Sequence, residues 1–358
     1  MERVEFVVVG GGLLGLASAR ALGRRGREAI VLEAATVGNE RAGSKGTARI
    51  FRYGYEDPFY VRLAMRAHAM WQELESGAST QLLVPTGQLN FGTRLDELEA
   101  AMSVCKAPCE RIPADEVARR YPAVVPRHAI FEPASAVLRA DRCLSALRSS
   151  GAPDVREHTP VRSITDEGDG VRVATPQGRI AARTAIICAG AGTASLAGVS
   201  GMPAQRSTLE QVAYLASEPA AWPIVIDRAE SLRYGLPDPG GEGAPRYKLG
   251  LHHRGSEVDP ATATNLEDDQ DLLDELRTAA RANFPEWEGD VVASERCFYD
   301  TTANEDFVLD REGAIVVGCG TSGHGFKFGP LLGELLADLA TSGRLDDAYA
   351  RFRLSRGR

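Results

Sequence analysis

The residues from Gly10 to Gly15 read G-G-G-L-L-G and satisfy the pattern G-x-G-x-x-G. An apolar stretch precedes them, a predicted helix follows them, and Glu33 ends the next predicted strand. Gly10 permits a tight turn, Gly12 lets the backbone approach a pyrophosphate at the positive end of the helix, and Gly15 allows helix and strand to pack closely. Glu33 can accept a hydrogen bond from a ribose hydroxyl. The turn therefore predicts a bound adenine dinucleotide, either NAD or FAD; a turn that serves only tight packing is the alternative.

Two other short segments combine glycine with basic side chains. Residues Gly46 to Arg52 read G-T-A-R-I-F-R, and residues Gly320 to Phe328 read G-T-S-G-H-G-F-K-F. A guanidinium offers a planar fork to a carboxylate, and bare glycine backbone before a helix can approach a group that carries negative charge. By themselves, the arginines of the first segment would be interpreted as surface residues paired with Glu56 and Asp57, because short basic loops are common.

The elements that must position these segments alternate between strand and helix. Phe6 to Val9 and Ala29 to Leu32 predict strands around a helix that ends near Gly26, which is a β-α-β unit and indicates a parallel sheet. Later segments are predicted as helices at 57–75, 141–149, 268–284 and 331–341 and as strands at 88–91, 161–164, 171–174, 184–188, 211–250 (several strands) and 313–318. The fold class is therefore α/β, with nucleotide-binding segments interleaved with a second, more antiparallel domain.

Composition makes several partners unlikely. The chain has 358 residues, of which 44% are hydrophobic, and 41 lysines and arginines against 49 aspartates and glutamates give a net charge of -8. An acidic chain is a poor partner for nucleic acid or for an anionic membrane surface. Its most apolar window, Phe6 to Leu22, is interrupted by Gly10, Gly11 and Gly12, contains Arg20, and falls short of the roughly 20 apolar residues of a membrane helix. No export signal is visible, so we expect a cytoplasmic protein whose six cysteines are free thiols.

Together with the glycine turn, the two basic segments resemble those of FAD-dependent amine oxidases of the D-amino-acid oxidase superfamily, in particular the branch of monomeric sarcosine oxidase and N-methyltryptophan oxidase. The resemblance covers nearly the whole chain. It implies an FAD-binding, Rossmann-like domain of the glutathione-reductase type, formed by residues 1–82, 142–208 and 310–358. It also implies a substrate domain with a mixed antiparallel sheet, formed by residues 83–141 and 209–309, and an active site between the two.

The resemblance implies roles for the residues of the basic segments. Arg49 is expected against the flavin ring, and Arg52 and Lys327 are expected to bind the substrate carboxylate together. A lysine that only caps its own loop is the alternative for Lys327. Further cofactor contacts are expected at Val161, Gly323, His324, Gly325 and Lys327.

Four further residues match functional positions of the branch. Cys297 takes the place at which the flavin is attached through a thioether to its 8-methyl carbon, and because a thiolate must attack, Arg296 or the flavin environment is expected to lower the pKa of this thiol. A buried cysteine without a chemical role is the alternative. Lys248 matches the lysine that activates oxygen, although an isolated lysine on a strand usually faces solvent. Tyr234 is expected near the substrate and His252 near the flavin.

The implied reaction is oxidation of the C–N bond of a secondary or cyclic amino acid to an imine, with oxygen reduced to hydrogen peroxide by a monomeric enzyme. One alternative is an FAD-dependent amino acid dehydrogenase that passes electrons to another acceptor. A second is a tailoring oxidase that acts on a biosynthetic amino acid intermediate. A noncatalytic FAD-binding protein or assembly subunit is the third, which the combination of Arg52, Lys248 and Lys327 disfavours.

The chain departs from its branch around the expected substrate. Val225 stands where sarcosine oxidase carries a methionine, and Gly192 stands where many relatives carry tryptophan. Lys45 and Thr47 stand where relatives often carry histidine and aspartate. These differences leave the identity of the substrate more open than the type of reaction.

Metal and hydrolase chemistry are poorly supported by the sequence. Cys105 and Cys109 have no companion pair at ligand spacing, and His252 and His253 fall in a predicted strand, so no metal site is predicted. Ser322 lies outside the strand-to-helix turn that a hydrolase nucleophile needs.

Overall fold

The glycine turn joins the first strand to the first helix, as the sequence predicts. In the computed structural model, which describes residues 1–151, 153–216, 222–229, 232–240, 246–263, 266–285, 287 and 289–354, β1 spans Glu2–Val9, α1 spans Leu13–Arg24 and β2 spans Ala29–Leu32. These three elements confirm the predicted β-α-β unit. Gly10 has a φ of +101°, a conformation that side chains disfavour. At Gly15 a Cβ would lie only 1.9 Å from the carbonyl oxygen of Gly10. The turn therefore requires glycine at both positions.

The other elements follow in chain order. The strands are β3 (Ala48–Phe51), β4 (Leu83–Pro85), β5 (Gln88–Gly92), β6 (Glu110–Ile112), β7 (Ala129–Glu132), β8 (Ala136–Arg139), β9 (Asp154–Arg156), β10 (Ser163–Asp166), β11 (Val171–Thr175), β12 (Gly178–Ile187), β13 (Arg206–Ala216), β14 (Ile224–Arg228), β15 (Leu232–Asp238), β16 (Arg246–Leu251), β17 (Ser256–Glu257), β18 (Val291–Thr301), β19 (Val308–Glu312) and β20 (Ile315–Cys319). The helices are α2 (Pro58–Gly77), α3 (Leu95–Val104), α4 (Ala114–Arg120), α5 (Ala140–Ser149), α6 (Thr193–Ala197), α7 (Gln270–Asn283) and α8 (Gly329–Ser342). Short 3-10 turns occur at Gly190–Gly192, Phe326–Phe328 and Asp347–Phe352. None of the helices in the described ranges combines the length and the apolar character that a membrane span needs.

The first sheet is mainly parallel. Its strands run in the order β10-β11-β12-β1-β2-β9, while β20 pairs with β12 and β19 pairs with β20. The pairs β1–β2, β1–β12, β2–β9 and β12–β20 are parallel, so the carboxyl ends of these strands meet at one edge. Ligands of open α/β sheets bind at that edge. Gly10, Glu33 and Cys188 directly follow β1, β2 and β12 there.

Helices α1 and α8 pack against each other over one face of this sheet. A Cβ at Gly333 of α8 would lie 2.5 Å from Ala17 of α1, so the two helices meet at backbone contact. Phe6 of β1 belongs to this core, while its neighbour Val7 belongs to the core on the other face of the sheet. Both faces of β1 are buried, as expected for a central parallel strand.

The second sheet is mainly antiparallel. Its order is β17-β13-β16-β15-β14-β5-β7-β6, and β18 also pairs with β13. The pair β14–β5 is parallel, and the other pairs are antiparallel. Helix α7 covers one face of it, and a small antiparallel sheet, β3-β8-β4, adjoins it where Ala48 and Val137 pack against Ile224 and Leu236. The α/β class with a mixed second sheet is confirmed, while the predicted domain boundaries stay a prediction.

Predicted and observed element boundaries differ at the edge of the site. Val161 was expected to begin a strand, but β10 begins at Ser163, so Val161 lies in the preceding loop. His252 and His253 lie in a turn after β16, because His253 has a φ of +58° and ends the extended conformation. Residues 217–221, 230, 231 and 241–245 of the region predicted as several strands lie outside the described residues.

We expect Gly15→Ala to lower the thermal midpoint of unfolding, because the added methyl group would collide with the backbone of Gly10. Forcing extra atoms into a packed site typically costs about 1–3 kcal/mol. Gly77→Ala is the matched control, since Gly77 is also helical and no atom lies within 4 Å of a Cβ added there. That control should leave the midpoint unchanged or raise it. Equal midpoints for the two variants, measured by circular dichroism, would contradict the close approach at Gly15.

Candidate active site

A large cavity lies between the carboxyl edge of the first sheet and the strands of the second. Its volume is about 770 Å³. It is lined by fourteen of the fifteen predicted site residues: Gly10, Gly12, Glu33, Arg49, Arg52, Val161, Tyr234, Lys248, His252, Cys297, Gly323, His324, Gly325 and Lys327. Gly15, the remaining one, lies inside α1, where close packing is its predicted role. Residues spread over more than 300 positions of the sequence therefore meet around one space.

One end of the cavity is formed by the glycine turn and Glu33. The Glu33 carboxylate accepts hydrogen bonds from the backbone N–H groups of Gly11 (2.7 Å) and Ala35 (3.0 Å), so it fixes the turn as well as lining the cavity. Gly12 caps α1 without a side-chain hydrogen bond, and Leu13 N–H donates to Ser44 Oγ at 3.3 Å. An open, positive helix end beside a carboxylate that can accept from a ribose fits an adenine dinucleotide.

Arg49 is tied to its own loop and lines the cavity. Its guanidinium donates to the carbonyl oxygens of Ala48 (2.9 Å), Gly43 (3.1 Å) and Lys45 (2.6 Å). It also lies over the ring of Phe326, with its central carbon 5.5 Å from the ring centroid. These contacts hold a permanent positive charge against the cavity wall.

The surface-pair interpretation of these arginines is wrong. Glu56 instead accepts from Arg228 at 2.9 Å, and Asp57 accepts from Arg351 at 2.7 Å. Arg52 lies over the ring of Tyr55, 4.2 Å from its centroid, and its Nη1 atom is buried without a hydrogen-bond partner in the described structure. A buried, unpaired guanidinium donor beside a cavity is suited to an anionic group of a ligand.

Lys327 lies beside Arg52 and is only 5% exposed. Its Nζ donates to the Tyr55 hydroxyl (3.0 Å) and to the carbonyl oxygen of His324 (2.8 Å). The second contact is the one expected if Lys327 only capped its own loop, but a lysine with that role alone would lie at the surface and would not be buried. Burial, and then the charge of Arg52, hold the pKa of Lys327 well below its usual value. No carboxylate lies within ion-pair distance of either cation in the ranges that the structure covers.

A buried polar cluster that the sequence did not reveal supports the segment after β3. Glu132 is 1% exposed and accepts from the backbone N–H groups of Tyr53 (3.2 Å) and Gly54 (2.9 Å). It also accepts from the side-chain amides of Gln88 (2.9 Å) and Asn90 (2.8 Å). This cluster fixes the backbone next to Arg52. One feature of the sequence could have indicated this cluster: Gln88 and Asn90 occupy alternate positions of the predicted strand 88–91 and therefore face the same side, which is buried.

Lys248 faces the cavity and not the solvent. It lies on β16, is 5% exposed, and has its Nζ 3.4 Å from the carbonyl oxygen of Ala48. Burial, followed by the charge of Arg49, lowers the pKa of Lys248 to about 8. The solvent-facing alternative is therefore wrong.

Cys297 lies on β18 with its side chain toward the cavity. Burial raises the pKa of its thiol, while Arg49 and then Lys248 act to lower that pKa. The expectation that Arg296 would lower it is wrong, because adjacent residues of a strand face opposite sides. Arg296 donates instead to the backbone carbonyls of residues 267 and 209 at 2.9 Å and 3.0 Å.

Tyr234 and His252 lie on the same side of the cavity as Cys297. Burial raises the pKa of the Tyr234 hydroxyl, so it stays protonated. Burial, and then the neighbouring His253, lower the pKa of His252 to about 3, so its imidazole is neutral at physiological pH. Both residues are therefore uncharged groups beside the cationic end of the cavity.

The residue expected in place of the substrate-contacting methionine does not line the cavity. Val225 is 1% exposed and packs in the core under the second sheet, whereas the next residue, Ile226, lines the cavity. A shift of one residue along a strand exchanges its two faces. Lys45 and Gly192 do line the cavity, while Thr47 donates to the buried Asp238 at 2.7 Å.

Comparison with known proteins agrees with this geometry. Residues 5–339 match the DAO family model, described as FAD dependent oxidoreductase. The chain is 31% identical to monomeric sarcosine oxidase of Streptomyces avermitilis over 95% of its own length and 94% of the relative's. It is 27% identical to N-methyl-L-tryptophan oxidase of Yersinia pestis over 93% of its length and 94% of that enzyme. The solved structure of NikD, an unusual amino acid oxidase essential for nikkomycin biosynthesis, matches with a TM-score of 0.87 and 25% identity over 99% of this chain and 98% of NikD. With its dinucleotide turn, its lined cavity and a family match over most of its length, the chain belongs to the DAO family of FAD dependent oxidoreductases.

Proposed function

We propose that this chain oxidises the C–N bond of a secondary or cyclic amino acid, an N-methyl amino acid or an imino acid, to an imine and reduces oxygen to hydrogen peroxide. The observation that carries the proposal is the pair formed by the buried Lys327 and the half-buried Arg52, whose Nη1 atom is buried, at one end of the cavity without a carboxylate partner among the described residues. A substrate carboxylate would neutralise their positive charge and accept hydrogen bonds from them. The names of the relatives support an N-substituted amino acid as the substrate.

The chain's residues fit FAD along the cavity. Gly10, Gly12 and Glu33 would hold the adenine dinucleotide portion at the N-terminus of α1. Arg49 and the segment from Gly323 to Gly325 would contact the flavin portion. Val161 would contact the cofactor near Glu33, because Thr159, two residues earlier, donates to the Glu33 carbonyl oxygen. FAD supplies the acceptor for a hydride equivalent from the substrate and a route for the electrons to oxygen.

The arrangement suits an amine that must lose its proton before it is oxidised. Arg52 and Lys327 would hold the carboxylate, which places the substrate nitrogen toward the middle of the cavity. Tyr234 and His252 contribute no negative charge there, so neither of them favours the ammonium form of the substrate. The nearby cations favour the neutral amine, whose nitrogen lone pair assists loss of hydride from the adjacent carbon.

The wall beside the site is apolar and leaves room for more than one side chain. Ile50, Ile226 and Leu232 line it, which fits an N-alkyl group or an aliphatic ring. Gly192 leaves unfilled the space that a large aromatic side chain would take, and Lys45 adds a further cation. The likeness to NikD favours a second candidate, a tailoring oxidase for a biosynthetic amino acid intermediate with an acidic or extended substituent.

Lys248 supports oxygen as the electron acceptor. A preorganised cation in a site sheltered from water stabilises the negative charge that develops when oxygen is reduced. The dehydrogenase alternative requires no such group. Molecular oxygen as co-substrate, a monomeric state and a cytoplasmic location all belong to this proposal.

The reaction is tested by anaerobic reduction of the bound flavin. N-methyl and cyclic amino acids should bleach the flavin absorbance, whereas their methyl esters, which lack the anionic carboxylate, should bleach it far more weakly. Arg52→Met and Lys327→Met should each weaken binding of a carboxylate inhibitor by about 2 to 5 kcal/mol, because the bound carboxylate loses one of its two cationic partners.

Lys106→Met is the matched control, since Lys106 is exposed and is not one of the residues that line the cavity. It should bind the inhibitor as the wild type does. Undiminished inhibitor affinity in both Arg52→Met and Lys327→Met would refute the carboxylate site, and equal bleaching by acids and esters would refute the substrate class.

Lys248→Met should slow reoxidation of the reduced flavin by oxygen on the order of 100-fold, by analogy with the loss of one oxyanion donor. Anaerobic reduction by substrate should stay within about tenfold of the wild type, or about 1.4 kcal/mol. Because the pKa of Lys248 is lowered to about 8, its charged form predominates below that pH. The wild-type reoxidation rate should therefore fall as pH rises through about 8, and the rate of the variant should lack this step.

Stopped-flow absorbance separates the two half-reactions. A uniform slowing of both would indicate that Lys248 has a general structural role. Unchanged reoxidation in Lys248→Met would favour the dehydrogenase alternative.

We also propose that FAD is attached covalently through Cys297. Cys297 faces the cavity, and Arg49 and Lys248 oppose the rise in the pKa of its thiol that burial causes, which favours the thiolate that attachment requires. Acid-precipitated wild-type protein should keep its yellow colour and show the mass of one additional FAD. Cys297→Ser should release the flavin into the supernatant, whereas Cys105→Ser, a control at another partly exposed cysteine, should retain it. A colourless wild-type pellet would exclude the linkage.

A further inference from the structure

Three potential metal ligands meet where the second sheet borders the cavity. His252 and His253 follow β16, and Glu305 lies in the loop between β18 and β19. One ligand atom from each side chain lies within 4.8 Å of those of the other two. We propose that His252, His253 and Glu305 form a binding site for a divalent transition metal ion such as zinc, and that an ion bound there inhibits the enzyme reversibly.

The backbone brings the two histidines to the same side. Consecutive residues of an extended strand would face opposite directions, which is why the sequence pattern predicts no site. The left-handed conformation of His253, with a φ of +58°, turns the chain so that the two imidazole centroids are only 3.8 Å apart. Glu305 also has a φ of +60°. Positive φ is uncommon outside glycine, and such strained residues concentrate at functional sites.

The polar atoms of the cluster are incompletely satisfied by one another. His253 Nε2 lies 3.2 Å from Glu305 Oε1, within ion-pair distance, but neither ring nitrogen of His253 has a hydrogen-bond partner with suitable geometry among the described residues. A metal ion would use these nitrogen and oxygen lone pairs directly. Two imidazoles and one carboxylate are a known donor set for zinc with an open fourth position.

Only small movements separate the present geometry from a bound one. Zinc requires ligand distances of about 2.0 to 2.2 Å, which places tetrahedral ligand atoms roughly 3.3 to 3.6 Å apart. His253 Nε2 and Glu305 Oε1 are already 3.2 Å apart, and a pair separated by up to 4.8 Å must close by roughly 1.2 to 1.5 Å. Glu305 can supply this movement, because its side chain is 51% exposed. The backbone of Glu305 is meanwhile held by His324 Nε2, which lies 2.9 Å from the Glu305 carbonyl oxygen.

The charged groups around the cluster affect how strongly it would bind a cation. Arg52 and Lys327 lie close enough to influence His252 and would disfavour a further cation. The Glu305 carboxylate opposes that effect from within the cluster, and the two imidazoles add lone pairs that form coordinate bonds. Since His252 lines the cavity, an ion that binds it removes a neutral imidazole from the proposed substrate site.

The test is a calorimetric titration of the chelator-treated holoenzyme with zinc chloride. The wild type should bind one zinc ion, and both His253→Ala and Glu305→Gln should weaken binding by more than the roughly 10- to 100-fold that loss of an outer-shell partner costs. His128→Ala and Glu257→Gln are matched controls at exposed positions and should bind zinc as the wild type does. Flavin content and circular dichroism establish that the variants are folded.

The site would be overturned if the wild type did not bind zinc, or if His253→Ala and Glu305→Gln both bound zinc as tightly as the wild type. Substrate-driven flavin reduction should slow at the zinc concentration that half-saturates the calorimetric signal; an unchanged rate at saturation would overturn the inhibition. The inhibition rests on the proposed function, but the binding does not. A protein that binds zinc as described yet is reduced by no amino acid would therefore keep the metal site and lose the proposed function.

Discussion

The structure depends on holding four cationic side chains around one cavity, with Lys248 and Lys327 buried and Arg49 and Arg52 half-buried. Arg49, Arg52, Lys248 and Lys327 all line one cavity, and removing such groups from water costs several kcal/mol each unless partners replace the water. The protein supplies mostly neutral partners: backbone carbonyls for Arg49, a ring face for Arg52, and a hydroxyl and a carbonyl for Lys327. The charges are thereby held in position, and those of Arg52 and Lys327 have no carboxylate within ion-pair distance among the described residues, which favours binding of an anionic ligand there. The charge of Lys248 is partly offset by Glu295 and Asp238.

Holding these charges in place requires rigid support from distant parts of the chain. Glu132 on β7 fixes the segment that follows β3, and the 3-10 turn at Phe326–Phe328 presents Lys327 at the start of α8. Trp71 of α2 donates to the carbonyl oxygen of Lys327 at 2.8 Å and is fully buried. The backbone at Lys327 and next to Arg52 is therefore anchored, while the Nη1 atom of Arg52 keeps no hydrogen-bond partner among the described residues.

The sequence was sufficient for features that depend on local pattern. The glycine turn, its flanking strands and Glu33 have a fixed spacing and a single structural context, so their arrangement followed from residue types. Which side of a strand a residue faces could not be obtained in this way: Arg296 faces away from the cavity next to Cys297, and Ile226 faces it in place of Val225. In both cases a one-residue difference in register exchanges the two faces. The left-handed turn at His253 and the Glu132 cluster, whose partners lie 42 to 79 residues away, depend on contacts that no local pattern contains.

The close contact between α1 and α8 has a consequence for which amino acids can react. α1 begins at the glycine turn, and α8 begins at Gly329, two residues after Lys327. Because Gly333 meets Ala17 at backbone contact, the two helices cannot slide or separate without losing that packing. The distance between the glycine turn and Lys327 is therefore fixed by the core. If Arg52 and Lys327 bind the substrate carboxylate as proposed, a substrate would be selected by the number of bonds between its carboxylate and its nitrogen, because an α-amino acid and its β-homologue would present different atoms at the same reacting position.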